Sequence, residues 1–232
     1  FELLTNHNEI SSYQEYQIIE NSMQRACSRG DLEQLEIYLN EEVKFETEKE
    51  LITFKINKKT KTASLFRVCT TNNKLIIPRT IKYEMEDYLI TSVISSGQRS
   101  KFVKIIEFSK DSEVSVFYEE SFKFSKIESI IFPASLIELR EGWCCHAQKL
   151  TNISISPLND QFMLKDNKYL VGKSDTKSGN FDILHFASRD IKKIKIPSNI
   201  KIISSYAFDH CEKLSEIEIP IDSNLEIIGE HA

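Results

Sequence analysis

The densest group of potentially reactive side chains in this 232-residue chain is Cys144-Cys145-His146. Thiolate and imidazole are the usual ligands of a borderline-soft ion such as zinc. A structural zinc site, however, spaces its ligands two to four residues apart and adds a second pair, and neither feature is present here. The expectation is therefore no metal and no cofactor, with the cysteines serving as small buried apolar residues. No glycine-rich phosphate loop, nucleophile elbow or His-Glu-x-x-His pattern occurs. With six glycines and no catalytic segment, the chain reads as a non-enzyme. His146 and His210 stand at equivalent places in a repeated pattern, which explains their recurrence without making them a pair.

A second group is charged. Lys193 and Lys195 alternate with apolar residues, and Glu216 and Glu218 do the same 23 residues later. Side chains alternate across a strand, so all four point away from the core. Neighbouring strands lie about 4.8 Å apart, which sets Lys193 beside Glu216 and Lys195 beside Glu218. The same outward face holds Ile105, Glu107, Ser129, Ile131, Asn152 and Ser154. Asn152, Ser154, Lys193, Lys195, Glu216 and Glu218 are thus the candidate partner-binding residues. The alternative for the charged four is a pair of cross-strand ion pairs that only stabilise the sheet, and opposite charges that neutralise each other favour that alternative. Asn152-Ile153-Ser154 is also an N-glycosylation sequon, and a glycan there would obstruct the face.

The elements that position these residues follow from a repeat. Ile191, Ile194, Ile196 and Pro197 are matched at 23 residues by Leu214, Ile217, Ile219 and Pro220. In register are Val103, Ile106, Phe108; Ile127, Ile130, Phe132, Pro133; and Leu150, Ile153, Ile155. Ahead of the strands come Ser121-Phe122 with Ser125, Trp143-Cys144 with Ala147, and Ala207-Phe208 with Cys211. A unit of this length cannot close its own core and must stack on a neighbour, so the pattern predicts a solenoid with a parallel sheet. Ser156 to Pro197 spans 41 residues, about 18 more than one period. The excess, within an insertion placed at 157–190, reads as short strands at Phe162-Met163-Leu164, Lys168 to Val171 and Phe181 to Phe186. The last unit breaks off near Ala232, and that end is expected to be frayed or covered by further chain.

Upstream, residues 1–43 read as helices. Ser12 with Glu15 and Asp31 with Gln34 are capping patterns, Arg29-Gly30 is a stop, and Leu32, Leu35, Tyr38 and Leu39 form the second apolar face. From Ile52 the period changes to two, giving a hairpin around Asn57 to Thr60 and an irregular β cap over 51–90, with repeats over 91–232. The fold class is α+β: a short helical region, a β cap, then a solenoid carrying an inserted hairpin.

Two resemblances follow from these residues. Ala207-Phe208, Cys211 and Leu214-x-x-Ile217-x-Ile219-Pro220 resemble the unit of the BspA-type leucine-rich repeat. Residues 26–39, ACSRGDLEQLEIYL, resemble the helix pair of an ankyrin repeat. The first resemblance implies a curved parallel sheet with an open concave face and adhesion to a host or matrix protein at a cell surface. The alternative is an intracellular scaffold that binds a cellular protein.

Composition bounds the rest. Thirty basic against 35 acidic residues give no basic excess for nucleic acid. Residues 1–50 hold 12 acidic and four basic side chains, so the remainder stands at +3. No apolar run is long enough for a membrane span. Five cysteines at unpaired spacings suit free thiols better than a disulfide scaffold, which favours the intracellular alternative.

Overall fold

The computed structural model describes residues 20–46, 50–94, 102–177 and 179–232. Helix α1 covers residues 20–29, so the Ser12/Glu15 pattern lies outside the described residues. Gly30 takes φ +71°, the left-handed conformation that ends a helix without a Cβ clash. Asp31 then caps α2 (Leu32–Leu39), its Oδ1 accepting from the Gln34 N–H at 3.0 Å.

The buried face of α2 matches the expected one at Tyr38 but not at Leu32 and Leu39. Tyr38 and Gln34 are buried, whereas Leu32 and Leu39 are 75% and 76% exposed. Tyr38 packs with Phe66, Ile94 and Tyr118, meeting Phe66 edge-on at 6.3 Å between ring centroids. Arg25 pairs with Glu120, Arg29 with Glu119, and Arg140 with Asp31 and Glu33. These contacts seat the helix pair along the side of the β structure.

The helical region also ends earlier than residue 43. Val43 and Phe45 alternate with Glu42 and Lys44, and this period of two forms strand β1 (Glu41–Glu46). It pairs antiparallel with β2 (Glu50–Asn57), placing Val43 opposite Phe54 and Phe45 opposite Ile52. β2 and β3 (Thr62–Thr70) make the expected hairpin. β4 (Lys74–Ile77), β5 (Thr80–Tyr83) and β6 (Glu86–Val93) follow, and β6 runs parallel to β3.

β4 belongs to the solenoid rather than to a separate cap. It begins a parallel sheet that continues through β7 (Ile105–Phe108), β9 (Ser129–Phe132) and β11 (Asn152–Ile155). The first coil therefore starts before residue 91. β6, β8 (Val116–Phe117) and β10 (Glu138–Leu139) form a second parallel ladder one step further along each coil. Ile106, Ile130 and Ile153 point between the two ladders at 0%, 0% and 8% exposure, as the period requires. Each such side chain contributes about 1.5–3 kcal/mol by leaving water.

The insertion is a three-stranded antiparallel meander: β12 (Phe162–Lys165), β13 (Tyr169–Gly172) and β14 (Ile183–Ala187). β14 returns to the solenoid by pairing parallel to β16 (Ile202–Ile203), which pairs with β18 (Ile227–Ile228). β15 (Lys193–Lys195) and β17 (Glu216–Glu218) form their own parallel pair. No ladder joins β11 to β15 among the described residues, so the outer sheet is interrupted where the meander leaves. The seam is held instead by Ser188 Oγ donating to Thr151 O at 2.8 Å and by Arg189 N donating to Leu150 O at 3.2 Å.

Beyond the seam the inward pattern holds for Ile191, Ile194 and Ile196, all buried. Ile217 and Ile219, also expected inward, are 48% and 51% exposed, because no further coil covers them in the described chain.

Candidate functional site

The outer face of the β4–β7–β9–β11 sheet is built from the alternate residues of four strands in register. One row runs Lys74, Ile105, Ser129, Asn152, and the next runs Ile76, Glu107, Ile131, Ser154. Lys74 Nζ meets Glu107 Oε1 at 2.7 Å, which leaves the face close to neutral. Ile76 and Ile131 are 56% and 37% exposed on either side of Glu107. Two branched aliphatic side chains facing water on a rigid sheet, ringed by hydrogen-bonding groups, are suited to a protein surface of matching shape. Asn152 is exposed, and its Nδ2 donates to Thr151 Oγ1 at 3.2 Å.

The six residues singled out from the sequence fall into two groups. Asn152 and Ser154 lie on the four-stranded sheet. Lys193, Lys195, Glu216 and Glu218 lie on the separate β15–β17 pair, in the expected register. Lys193 bonds Glu216, and Lys195 Nζ lies 2.5 Å from Glu218 Oε1. Glu218 raises Lys195 above the usual lysine range, first through that hydrogen bond. All four side chains remain more than half exposed, so water screens both pairs. Sequence reasoning missed Ile76, although Leu75-Ile76-Ile77-Pro78 has the form of Ile130-Ile131-Phe132-Pro133 and carried the signal.

The coils are joined at one edge by a column of tight turns. Glu120, Gly142, Tyr206 and His231 occupy one left-handed position, and Phe124, His146 and His210 another, with φ between +53° and +64°. Only one of the seven is glycine. The strain of about 1–2 kcal/mol per residue is offset by stacking of each turn on the next, as in Phe122 N donating to Trp143 O at 2.8 Å.

Cys144-Cys145-His146 lies in this column and is divided by it. Both cysteines are 3% exposed, and burial pushes each thiol up to about 12, so both stay protonated. Arg189 reaches the same core, with Nη2 3.6 Å from Cys144 Sγ, Nη1 donating to Ala207 O at 3.1 Å, and the guanidinium 4.7 Å from the Phe186 ring. His146 turns the other way. Its ring stacks on Phe124 at 4.9 Å and approaches His210 edge-on at 5.6 Å. The two histidines, expected to recur without meeting, are therefore in contact. The insertion loops out from between them, so coils distant in sequence stack directly. Asp209 lies between them, Oδ2 accepting from the His146 N–H at 2.6 Å.

A groove of about 270 Å³ separates the turn Arg140–Trp143 from Ile202–Ser205. Its floor includes His185, whose ring meets Phe162 edge-on at 5.3 Å and is pushed down to about 4 by burial.

Comparison with known proteins places residues 182–232 in the family model described as the BspA type leucine rich repeat region (6 copies). Among solved structures the chain is similar to a leucine-rich cell surface protein of Faecalibacterium prausnitzii, at 13% identity and TM-score 0.43 over 82% of this chain and 73% of that one. A leucine-rich repeat protein of Eubacterium ventriosum gives 12% identity and TM-score 0.42 over 82% of this chain, which spans 63% of that protein's length. The pneumococcal vaccine antigen PcpA gives 16% identity and TM-score 0.35 over 82% and 67%. No curated protein matches.

Proposed function

We propose that this chain, whose residues 182–232 are BspA-type leucine-rich repeats, is a non-catalytic protein-binding module working through the outer face of the β4–β7–β9–β11 sheet. The observation that carries this reading is the row Ile76, Glu107, Ile131, Ser154, in which two exposed aliphatic side chains are held in register by four parallel strands. A rigid face loses little conformational entropy when a partner docks, which is the advantage a solenoid offers a binding protein.

The partner is a host or matrix protein, and the role is surface adhesion or that of a surface antigen. The repeat family supports this finer reading, and two of the similar structures are described as a cell surface protein and as a vaccine antigen. Asn152 and Ser154 lie at the edge of the face, where a glycan would narrow it. Among the described residues no helix is long and apolar enough to cross a membrane.

A second reading, an intracellular scaffold, is favoured by one observation. All five cysteines are free, and Cys27 and Cys69 are exposed, an arrangement that suits a reducing compartment. Labelling the native protein on intact and on permeabilised cells separates the two. Signal on intact cells supports the surface role, and signal only after permeabilisation supports the scaffold.

A further inference from the structure

We propose that His146, Asp209 and His210 form a binding site for a divalent transition-metal ion of the zinc class, which ties the turn at 141–146 to the turn at 205–210 across the inserted meander. One ligand atom from each of the three lies within 4.8 Å of the others. His146 Nδ1 is 3.6 Å from Asp209 Oδ2, and His210 Nε2 is 3.7 Å from Asp209 Oδ1. Zinc binds imidazole nitrogen and carboxylate oxygen at about 2.0–2.2 Å, which sets tetrahedral ligand atoms about 3.3–3.5 Å apart. Each imidazole nitrogen is within a few tenths of an ångström of that spacing from one oxygen of Asp209, His146 from Oδ2 and His210 from Oδ1. The imidazole–imidazole pair, and one imidazole relative to a single carboxylate oxygen, must close further from separations of up to 4.8 Å, by rotation of partly exposed rings.

The surroundings hold the donors in place. Asp209 Oδ2 accepts the His146 N–H, and that side chain is 13% exposed, so the carboxylate is fixed before any ion arrives. Phe124 stacks on the His146 ring with an interplanar angle of 14°, and Tyr206 meets it edge-on at 5.9 Å. Glu212 Oε1 stands 4.0 Å from His210 Nδ1, within reach of the orienting carboxylate–imidazole contact that accompanies many histidine ligands. His146 and His210 share one left-handed turn position, at φ +59° and +54°, and so project to the same edge of the solenoid.

Two nitrogens and one carboxylate suit zinc, nickel or copper(II) and are poor for calcium and magnesium, which take oxygen ligands. Three protein ligands leave a fourth position for water or for a side chain of a docked protein. The buried thiols of Cys144 and Cys145 take no part.

Titration of the 232-residue chain with zinc chloride tests the proposal, read by calorimetry and by thermal unfolding. One site per chain is expected, with Tm rising by about 5–10 °C when free zinc exceeds Kd a hundredfold. His210→Gln should fold with the metal-free Tm of the wild type and lose at least tenfold in affinity, and His146→Gln should do the same. His231→Gln should bind as the wild type does. Cobalt(II) in place of zinc should give d–d absorption without a thiolate charge-transfer band. Absence of binding at 1 mM zinc, an equal Tm rise in His210→Gln, or a thiolate band would each overturn the site.

Discussion

Asp209 Oδ2 accepts a hydrogen bond from the backbone N–H of His146 at 2.6 Å, although 63 residues separate the two in sequence. The turn column of the solenoid thus passes from the coil at 141–146 directly to the coil at 205–210, while the outer sheet breaks between β11 and β15. Continuity on one edge and interruption on the other describe how this solenoid accommodates a three-stranded insertion.

The carboxylate is the bridging group, so its removal should loosen this junction. Asp209→Ala leaves the His146 N–H without its partner and should cost about 1–3 kcal/mol in chemical denaturation of the metal-free protein. Asp209→Asn keeps an acceptor and should cost less. Equal stability of Asp209→Ala and wild type would show that the junction is held elsewhere.

Trp143 centres the aromatic cluster of the first coils. It is 3% exposed, with ring centroids 6.0, 6.1, 5.6 and 6.1 Å from Phe117, Phe122, Phe132 and Phe186. Trp143→Ala should destabilise by about 3–5 kcal/mol, seen as a lower denaturant midpoint at unchanged slope. A loss below about 1 kcal/mol would mean that the coils do not share one core.

Lys193 and Lys195 should act on stability rather than on recognition. Changing both to Glu sets like charges against Glu216 and Glu218 and should lower Tm by roughly 1–3 °C, less so in high salt. An unmoved melting curve would remove the cross-strand pairing.

His185 supplies a pH dependence whose sign follows from its burial. The imidazole titrates at about 4 when folded against 6.5 as its ordinary value, so the unfolded chain binds the extra proton between these limits. Its stabilising contribution is complete above pH 6.5 and is lost as pH falls toward 4, by roughly 2–3 kcal/mol at pH 4.5. His185→Gln should flatten the stability profile over that range. An unchanged profile would place the ring in water.

The architecture was legible wherever the period was undisturbed. Ile106, Ile130, Ile153, Ile194 and Ile196 point inward as their spacing dictates, and the Lys193–Glu216 register follows from counting. The helix pair was legible at its caps, Gly30 and Asp31, and in Tyr38, but not in the rest of its buried face. Leu32 and Leu39 have the right spacing, yet the surface offered by Phe66, Ile94 and Tyr118 accepts Tyr38. Glu41 to Val43 read as the end of the helical region because the charges of this stretch mask the alternation of Val43 and Phe45. The His146–His210 contact could not be counted out, since the two stand 64 residues apart and only the three-dimensional path of the insertion makes their coils adjacent.

The outer face of the four-stranded sheet is the proposed binding surface, and binding to a panel of purified extracellular-matrix and host surface proteins tests it most directly. The wild-type chain is predicted to bind at least one member with Kd of about 10 µM or tighter. The double variant Ile76→Glu, Ile131→Glu should weaken that binding at least tenfold with Tm within about 2 °C of wild type, whereas Lys193→Glu, Lys195→Glu should bind nearly as wild type. A double isoleucine variant that binds as tightly as wild type, or a panel with no bound member, would contradict the assignment of this face.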